Sequence, residues 1–351
     1  MSSTDKVKKR TLIHDIARHL NVSIATVSFV LNGKAKEQRI SDALAEKVLR
    51  YVEEVGYKPN QLAKSLRTGK THVIGLIIED ISNPFFATVA WLIEKKAFGR
   101  GYRIIYCSTD NNTAKTKDLI SMFQERHIDG YIIAPPEGIE EEVNSLLRSN
   151  KPTVLLDRYI PSLISDYVVV DGADGTYQAA RHLLEQGFEN VAFVTSESRQ
   201  TQMEARLQGY SKALDEAGRA KNIKRFVVNF GEGLERLVSE IYSFIKNNRE
   251  YDAIIFANNI LSIYGLEAIA RLGLRIPEDI GVISFDDHDL FRLHSPTITA
   301  IAQPVESLAE NSIDVLLRKL EQTSEAEALV DTIVLPTSLI IRGSSMRKSG
   351  R

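Results

Sequence analysis

Residues 11–31, TLIHDIARHLNVSIATVSFVL, decide how this chain is read. Ile13, Ile16, Ala17 and Leu20 recur at the i, i+3, i+4, i+7 spacing of one helical face. Asn21 and Val22 break that helix, and Ser23 is an N-cap residue for a second. The second helix turns Val27, Val30 and Leu31 inward and leaves Ile24, Ala25, Ser28 and Phe29 on its outer face. A short helix pair whose second member carries an outward face near its N-terminus has the layout of a DNA-reading helix-turn-helix.

The pattern continues outward from this pair. Ser41 caps a third expected helix with an apolar face of Leu44, Val48, Tyr51, Val52 and Val55, and Gly56 suits its C′ position. Residues 1–58 therefore read as a small all-α headpiece, with a basic loop, NGKAKEQRI, between its last two helices. In residues 59–71, Pro59 stops what precedes and Asn60 caps a short helix, Gln61 to Arg67. A helix that short is unstable alone and forms only against a partner, so this stretch reads as a hinge helix and linker. From His72 the chain alternates β-branched strands (VIGLII, RIIYCS, GYIIA, TVLLD, YVVV) with helical stretches, and a second such series follows from 174. So many strands exceed one sheet and predict an α/β core, 72–342, of two doubly wound parallel-sheet lobes with a ligand cleft between them. The expected division is 72–170 with 301–325 for the first lobe and 171–300 with 326–342 for the second, then a disordered tail, 343–351.

Charge supports a two-part molecule. Residues 1–70 hold fourteen Lys/Arg against seven Asp/Glu, a formal +7, which leaves −9 for the rest of a chain of net charge −2. A basic head on an acidic body suits a phosphate-binding module on a soluble domain. The lone cysteine, Cys107, lies in an apolar run and reads as a buried structural thiol. MSSTDKVKKRT has no apolar core of a signal peptide, and no run reaches membrane-spanning length, so the cytoplasm is expected. His288 and His294 lack metal-ligand spacing and read as loop residues.

Two other function classes are weighed. A sugar-binding protein without DNA function would not need the basic three-helix head. A sugar-processing enzyme such as a nucleotide-dependent kinase would need a phosphate loop. Gly69-Lys70-Thr71 resembles the end of one, but Lys64 stands where that motif needs glycine, and the triplet precedes a strand. No catalytic set, metal site or cofactor fingerprint is expected.

Several stretches together resemble the LacI/GalR family of bacterial transcription regulators. They are the opening helices, YKPNQLAKSLRTGKT, VIGLIIEDISNPFF, VLLDRY, ARLQGY, FANN, IPEDIGVISFDD and SPTITAIAQP, in that order along the chain. The resemblance implies a periplasmic-binding-protein-like core and a homodimer on double-stranded, palindromic operator DNA. Its affinity, normally for repression, is set by a small carbohydrate effector. It places Ile24, Ala25 and Phe29 against base edges, and Thr26, Ser28 and Asn32 against phosphates. Thr11 and Ser23 belong to the same DNA-facing set. In the hinge it makes Leu66 a wedge into a central base step from the minor groove, with Ala63 and Lys64 lining that groove, Arg67 adding positive charge at its edge, and Asn60 in the same DNA-facing set. Many relatives carry arginine where Phe29 stands, so the family's familiar guanine readout does not transfer. For the effector it implies Asn83, Phe85, Phe86, Asp157, Arg158, Arg206, Asn258 and Asp286. Arg206 and Asp286 are expected as a buried pair. The short tail leaves no room for a leucine-heptad segment, so a dimer rather than a tetramer is expected.

Overall fold

The computed structural model describes residues 11–57, 69–229, 233–322 and 329–347. It divides into two compact units, Met1–Thr71 and His72–Arg351. The first contains α1 (Ile13–Leu20), α2 (Ile24–Leu31) and α3 (Asp42–Glu54). Asn21 ends α1 in the left-handed region at φ 52°, which asparagine tolerates better than most residues. Ser23 Oγ then accepts from the Thr26 N–H at 3.0 Å, and Ser41 Oγ from the Leu44 N–H at 3.4 Å. Both satisfy amides that a first helical turn leaves free. Ile16, Ala17, Leu20, Val27, Val30 and Val48 form the small core, with Leu44, Tyr51, Val52 and Val55 packed against it.

The second unit opens with β1 (Val73–Ile78), α4 (Pro84–Gly99), β2 (Arg103–Ser108), α5 (Thr113–Glu125), β3 (Gly130–Ile133), α6 (Glu140–Arg148), β4 (Thr153–Leu156) and β5 (Asp166–Val170). It continues with α7 (Gly172–Glu185), β6 (Val191–Ser196), α8 (Thr201–Glu216), β7 (Lys224–Val228), α9 (Leu234–Asn247) and β8 (Ala253–Phe256). Then come α10 (Asn259–Arg271), β9 (Gly281–Phe285), α11 (Asp289–Leu293) and β10 (Thr299–Ala302). Last are α12 (Val305–Glu321), β11 (Thr332–Leu335) and β12 (Ser338–Ile340). One sheet has the order β11-β5-β4-β3-β1-β2, and the other β12-β10-β9-β8-β6-β7. All pairings are parallel except β10 with β12. Helices cover both faces, so the inner strands are mostly apolar, and the polar groups that meet the cleft lie at strand ends.

The chain passes between the lobes three times: after β5, after β10 and between β11 and β12. This corrects the expected division. Ile301 pairs with Phe285 of β9, so β10 belongs wholly to the second lobe. Thr332 pairs with Tyr167 of β5, so 332–335 edges the first lobe's sheet. The reason is an open edge: β11 covers β5, and the Asp331 N–H donates to Asp166 at 2.8 Å. The expected disordered tail is also corrected over 343–347. Ser344 and Ser345 are fully buried. Ser344 Oγ donates to the Val282 carbonyl at 2.6 Å and accepts from the Thr299 N–H at 2.8 Å, so serines finish the backbone pairing. Cys107 is half-buried, because its strand lies at a sheet edge; burial raises its pKa and keeps the thiol protonated. Among the described residues no helix is long and apolar enough to cross a membrane.

Two outcomes are expected. A Cβ on Gly209 of α8 would lie 2.0 Å from the Ala173 carbonyl oxygen of α7, so Gly209→Ala should cost about 1–3 kcal/mol in urea unfolding. His182 is buried with Nε2 2.8 Å from Ser345 Oγ, and burial lowers its pKa from 6.5. The folded chain resists a proton that the unfolded chain accepts. Stability is therefore full above pH 6.5 and falls as the pH drops below it. Thermal unfolding of His182→Gln should show a flatter acid limb than the parent chain.

Candidate functional site

In the first unit, α2 presents its outer face as expected in outline. Ile24 and Ala25 are exposed, and Ser28 and Phe29 are half-buried. Phe29 lies outside the apolar core of the three helices. The hydroxyls of Ser23 and Thr26 bond to each other at 2.8 Å, and the Asn32 side-chain amide donates to the Ser28 carbonyl at 2.7 Å. The polar groups of this face are thus tied locally, and its outward chemistry is apolar. Thr11 is half-buried just before α1. Lys34, Lys36 and Arg39 are exposed on the loop to α3. Asn60, Ala63, Lys64, Leu66 and Arg67, with the expected hinge helix, lie outside the described residues.

In the second unit, a cavity of about 630 Å³ opens where strand ends of both sheets meet. All eight residues named for the effector line it. Asp157 follows β4 and Asp286 follows β9, the same position in the two sheet orders. Both are left-handed, at φ 69° and 68°. The N–H of each donates to the strand beyond, Asp157 to Val168 at 3.1 Å and Asp286 to Ile301 at 3.0 Å. The backbone turn thus aims one carboxylate from each lobe at the cleft.

Arg158 is 2% exposed and Arg206 4%; Asp157 and Asp286 are 6% and 8%. Arg158 Nη2 donates to Glu79 at 2.7 Å and Nη1 to Gln200 at 2.6 Å. Arg206 lies with its guanidinium carbon 3.7 Å from the centre of the Phe285 ring, and Nη1 donates to the Ala257 carbonyl at 2.7 Å. Burial pushes Asp157 up from its ordinary pKa, opposed by Arg158 and Arg206. Burial likewise lowers Arg206, opposed by Asp286 and Asp157. The expected Arg206–Asp286 pair is corrected. Among the described residues no ion pair joins them; Asp286 accepts from Gln303 at 2.5 Å instead, and the two charges interact at longer range.

The chain matches the model for bacterial regulatory proteins, lacI family, over residues 12–60, and that for periplasmic binding protein-like domains over 180–345. It is 30% identical over 334 residues to a ribose operon repressor from Halalkalibacterium halodurans, covering 95% of this chain and 96% of that protein. The chain belongs to the LacI family of bacterial regulatory proteins. A LacI family transcriptional regulator from Enterococcus faecium, solved with bound ribose, is 26% identical with a TM-score of 0.71, covering 79% of this chain and all of that one. The lac repressor dimer bound to operator and the anti-inducer ONPF shares the fold at 22% identity, with a TM-score of 0.83 over 96% of this chain and 99% of that chain. The LacI-family chain is therefore a DNA-binding transcriptional regulator with an effector-binding core.

Some lining residues of this LacI-family cleft carried no sequence signal. Glu79 ends the first strand's run, Gln200 precedes α8, and Gln303 lies in the second crossover; each acts on a named charge only in the folded chain. Asn258 and Asn83 also have structural work. Asn258 Oδ1 caps α10 by accepting from Leu261 at 2.8 Å, and Asn83 Oδ1 caps α4 by accepting from Phe85 at 3.0 Å. Asn83 also accepts from Asn259 across the lobes at 3.2 Å. Phe86 is buried in the core and Phe85 half-buried against it, their rings edge to face at 5.0 Å.

Asp157→Asn keeps the shape and a residue that tolerates positive φ while removing a penalised buried charge. It should stabilise the folded core at neutral pH by about 0.5–2 kcal/mol, as relief at functional sites commonly does, while weakening effector binding. Thermal unfolding with and without effector measures both.

Proposed function

We propose that this chain acts as a homodimeric, operator-binding repressor whose DNA affinity is controlled by a sugar held between the two lobes of its core. The observation that carries the reading is the cleft: four ionisable side chains from both lobes, each more than nine-tenths buried, converge on one cavity. Charges so placed recognise a polar ligand and discriminate by hydrogen-bond geometry. The bound ribose of the Enterococcus relative supports a sugar as the occupant. Soluble, cytoplasmic action on DNA fits this reading.

The coupling rests on direct links between the lobes. Arg158 meets Gln200, Asn83 meets Asn259, and the Tyr159 N–H donates to Thr201 Oγ1 at 3.3 Å. A sugar entering the cleft competes with these links and favours one lobe angle over another. In a dimer, that angle is the route by which effector binding alters operator affinity. For the dimer, α4 exposes Trp91 and Phe98, and the adjoining edge strand β2 exposes Ile105 and Tyr106. This apolar face suits a second copy of the chain in a two-fold contact, in keeping with the operator-bound lac repressor dimer of the same fold. A basic headpiece on each copy suits a palindromic site.

The reading is tested by anisotropy titration of a selected operator with and without ribose and related sugars. Operator affinity should change with a sugar and fall steeply with salt, as a protein with many phosphate contacts does; turnover of ATP with a sugar, or affinity indifferent to every sugar, overturns it. Leu66→Ala should weaken operator binding far more than nonspecific binding, because the wedge is useful only at its base step. Phe29→Ala should cost about 1–3 kcal/mol at the operator, and replacing half-site thymines by deoxyuridine should reproduce part of that loss.

A further inference from the structure

The cleft retains unspent hydrogen-bond donors and acceptors side by side. Arg158 spends one N–H of each terminal nitrogen within the protein, and its Nε is buried without a hydrogen bond, 3.9 Å from Asp157 Oδ2. Arg206 Nε is likewise buried and unpartnered. So are two acceptors on the same cavity, Gln202 Oε1 and Gln303 Oε1. A hydroxyl both donates and accepts, so a polyol can satisfy the guanidinium N–H groups and the amide oxygens together. A phosphate or carboxylate near neutral pH is chiefly an acceptor. Where such a group stands in place of a hydroxyl beside the glutamine oxygens, it leaves them unpaired, at the cost of buried polar groups without partners.

Charge points the same way. Arg158 and Arg206 are the only cations among the described residues that line the cavity. Against them stand Asp157, Asp286 and Glu79. More carboxylates lie toward solvent, of which Asp110 faces Lys115 at 2.7 Å and Glu197 faces Arg225 at 4.0 Å. An entering anion meets a set already negative, in a partly dehydrated site where charge interactions are strong. Two-point capture by the terminal nitrogens of Arg158 would require breaking its link to Glu79.

We infer that the cleft selects its effector by charge, taking a neutral or amine-bearing polyol and rejecting phosphorylated and carboxylated sugars. The inference rests on the reading of this cleft as the sugar-effector site. In that case the regulator senses a sugar before phosphorylation or oxidation gives it a negative charge.

The test uses the full chain and sugars of matched skeleton: ribose with ribose 5-phosphate; glucose with glucosamine, glucuronate and glucose 6-phosphate; and cellobiose. Thermal shift finds the binders, and calorimetry gives their Kd. Neutral or amine-bearing members should raise Tm, and the anionic counterpart of each binder should bind at least about a hundredfold more weakly. An anionic sugar that binds as tightly as its neutral parent overturns the charge selection while leaving the sugar-effector reading standing. If no member of any class binds, the sugar-effector reading falls and this inference with it. A Glu79→Gln, Asp157→Asn double variant should narrow the neutral-to-anionic ratio at least about tenfold. An unchanged ratio in a folded variant shows that these carboxylates are not the cause and overturns the proposal.

Discussion

Ionised side chains stay inside a protein only when each has somewhere to place its charge. In this core that constraint falls on Asp157, Arg158, Arg206 and Asp286, and its solution organises the cleft. Glu79 and Gln200 hold Arg158, a carbonyl and the face of Phe285 hold Arg206, and Gln303 holds Asp286. Burial of Asp157 is opposed by Arg158 and Arg206 but not cancelled, and its pKa is raised. The partners come from different lobes and from a crossover, so the electrostatic state of the cleft depends on the lobe angle. A ligand that takes over some of these bonds acts on that angle through the charges themselves.

The two lobes solve the same geometric problem in the same way. In a parallel sheet buried on both faces, a polar side chain reaches solvent or ligand only where a strand stops. After the third strand of each sheet order an aspartate adopts positive φ, and its N–H closes onto the neighbouring strand. The local backbone cost of that conformation is tolerated because it turns a carboxylate into the cleft from either side.

Much of this was legible before the structure. Apolar β-branched runs marked the inner strands, and the i, i+3, i+4 faces marked the headpiece helices, because burial on defined faces leaves a periodic trace. The eight residues placed in the cleft by their motifs all line it. What stayed hidden was set by partners distant in sequence. Nothing in the run 330–341 tells that its first half edges one sheet and its second half the other. Ser344 and Ser345 look like tail residues, since a polar side chain buried by backbone pairing leaves no apolar signature. The Arg206–Asp286 contact was expected from the resemblance and from opposite charge; the structure gives each a different partner.

The threefold passage of the chain between the lobes also governs the order in which the molecule can be completed during synthesis. The headpiece helices end at Glu54 and have their core within a stretch that emerges before either lobe. The first lobe has no such independence. Its sheet lacks an edge strand, and its face lacks α12, until the five parallel strands of the second lobe have been made. Domains generally fold as units as they leave the ribosome. Here neither lobe is a contiguous unit, so the first waits, with β5 unpaired on one side, for residues that follow it by more than a hundred and fifty positions. A nascent chain of this protein therefore carries a finished DNA-binding head well before it carries a finished effector-binding core.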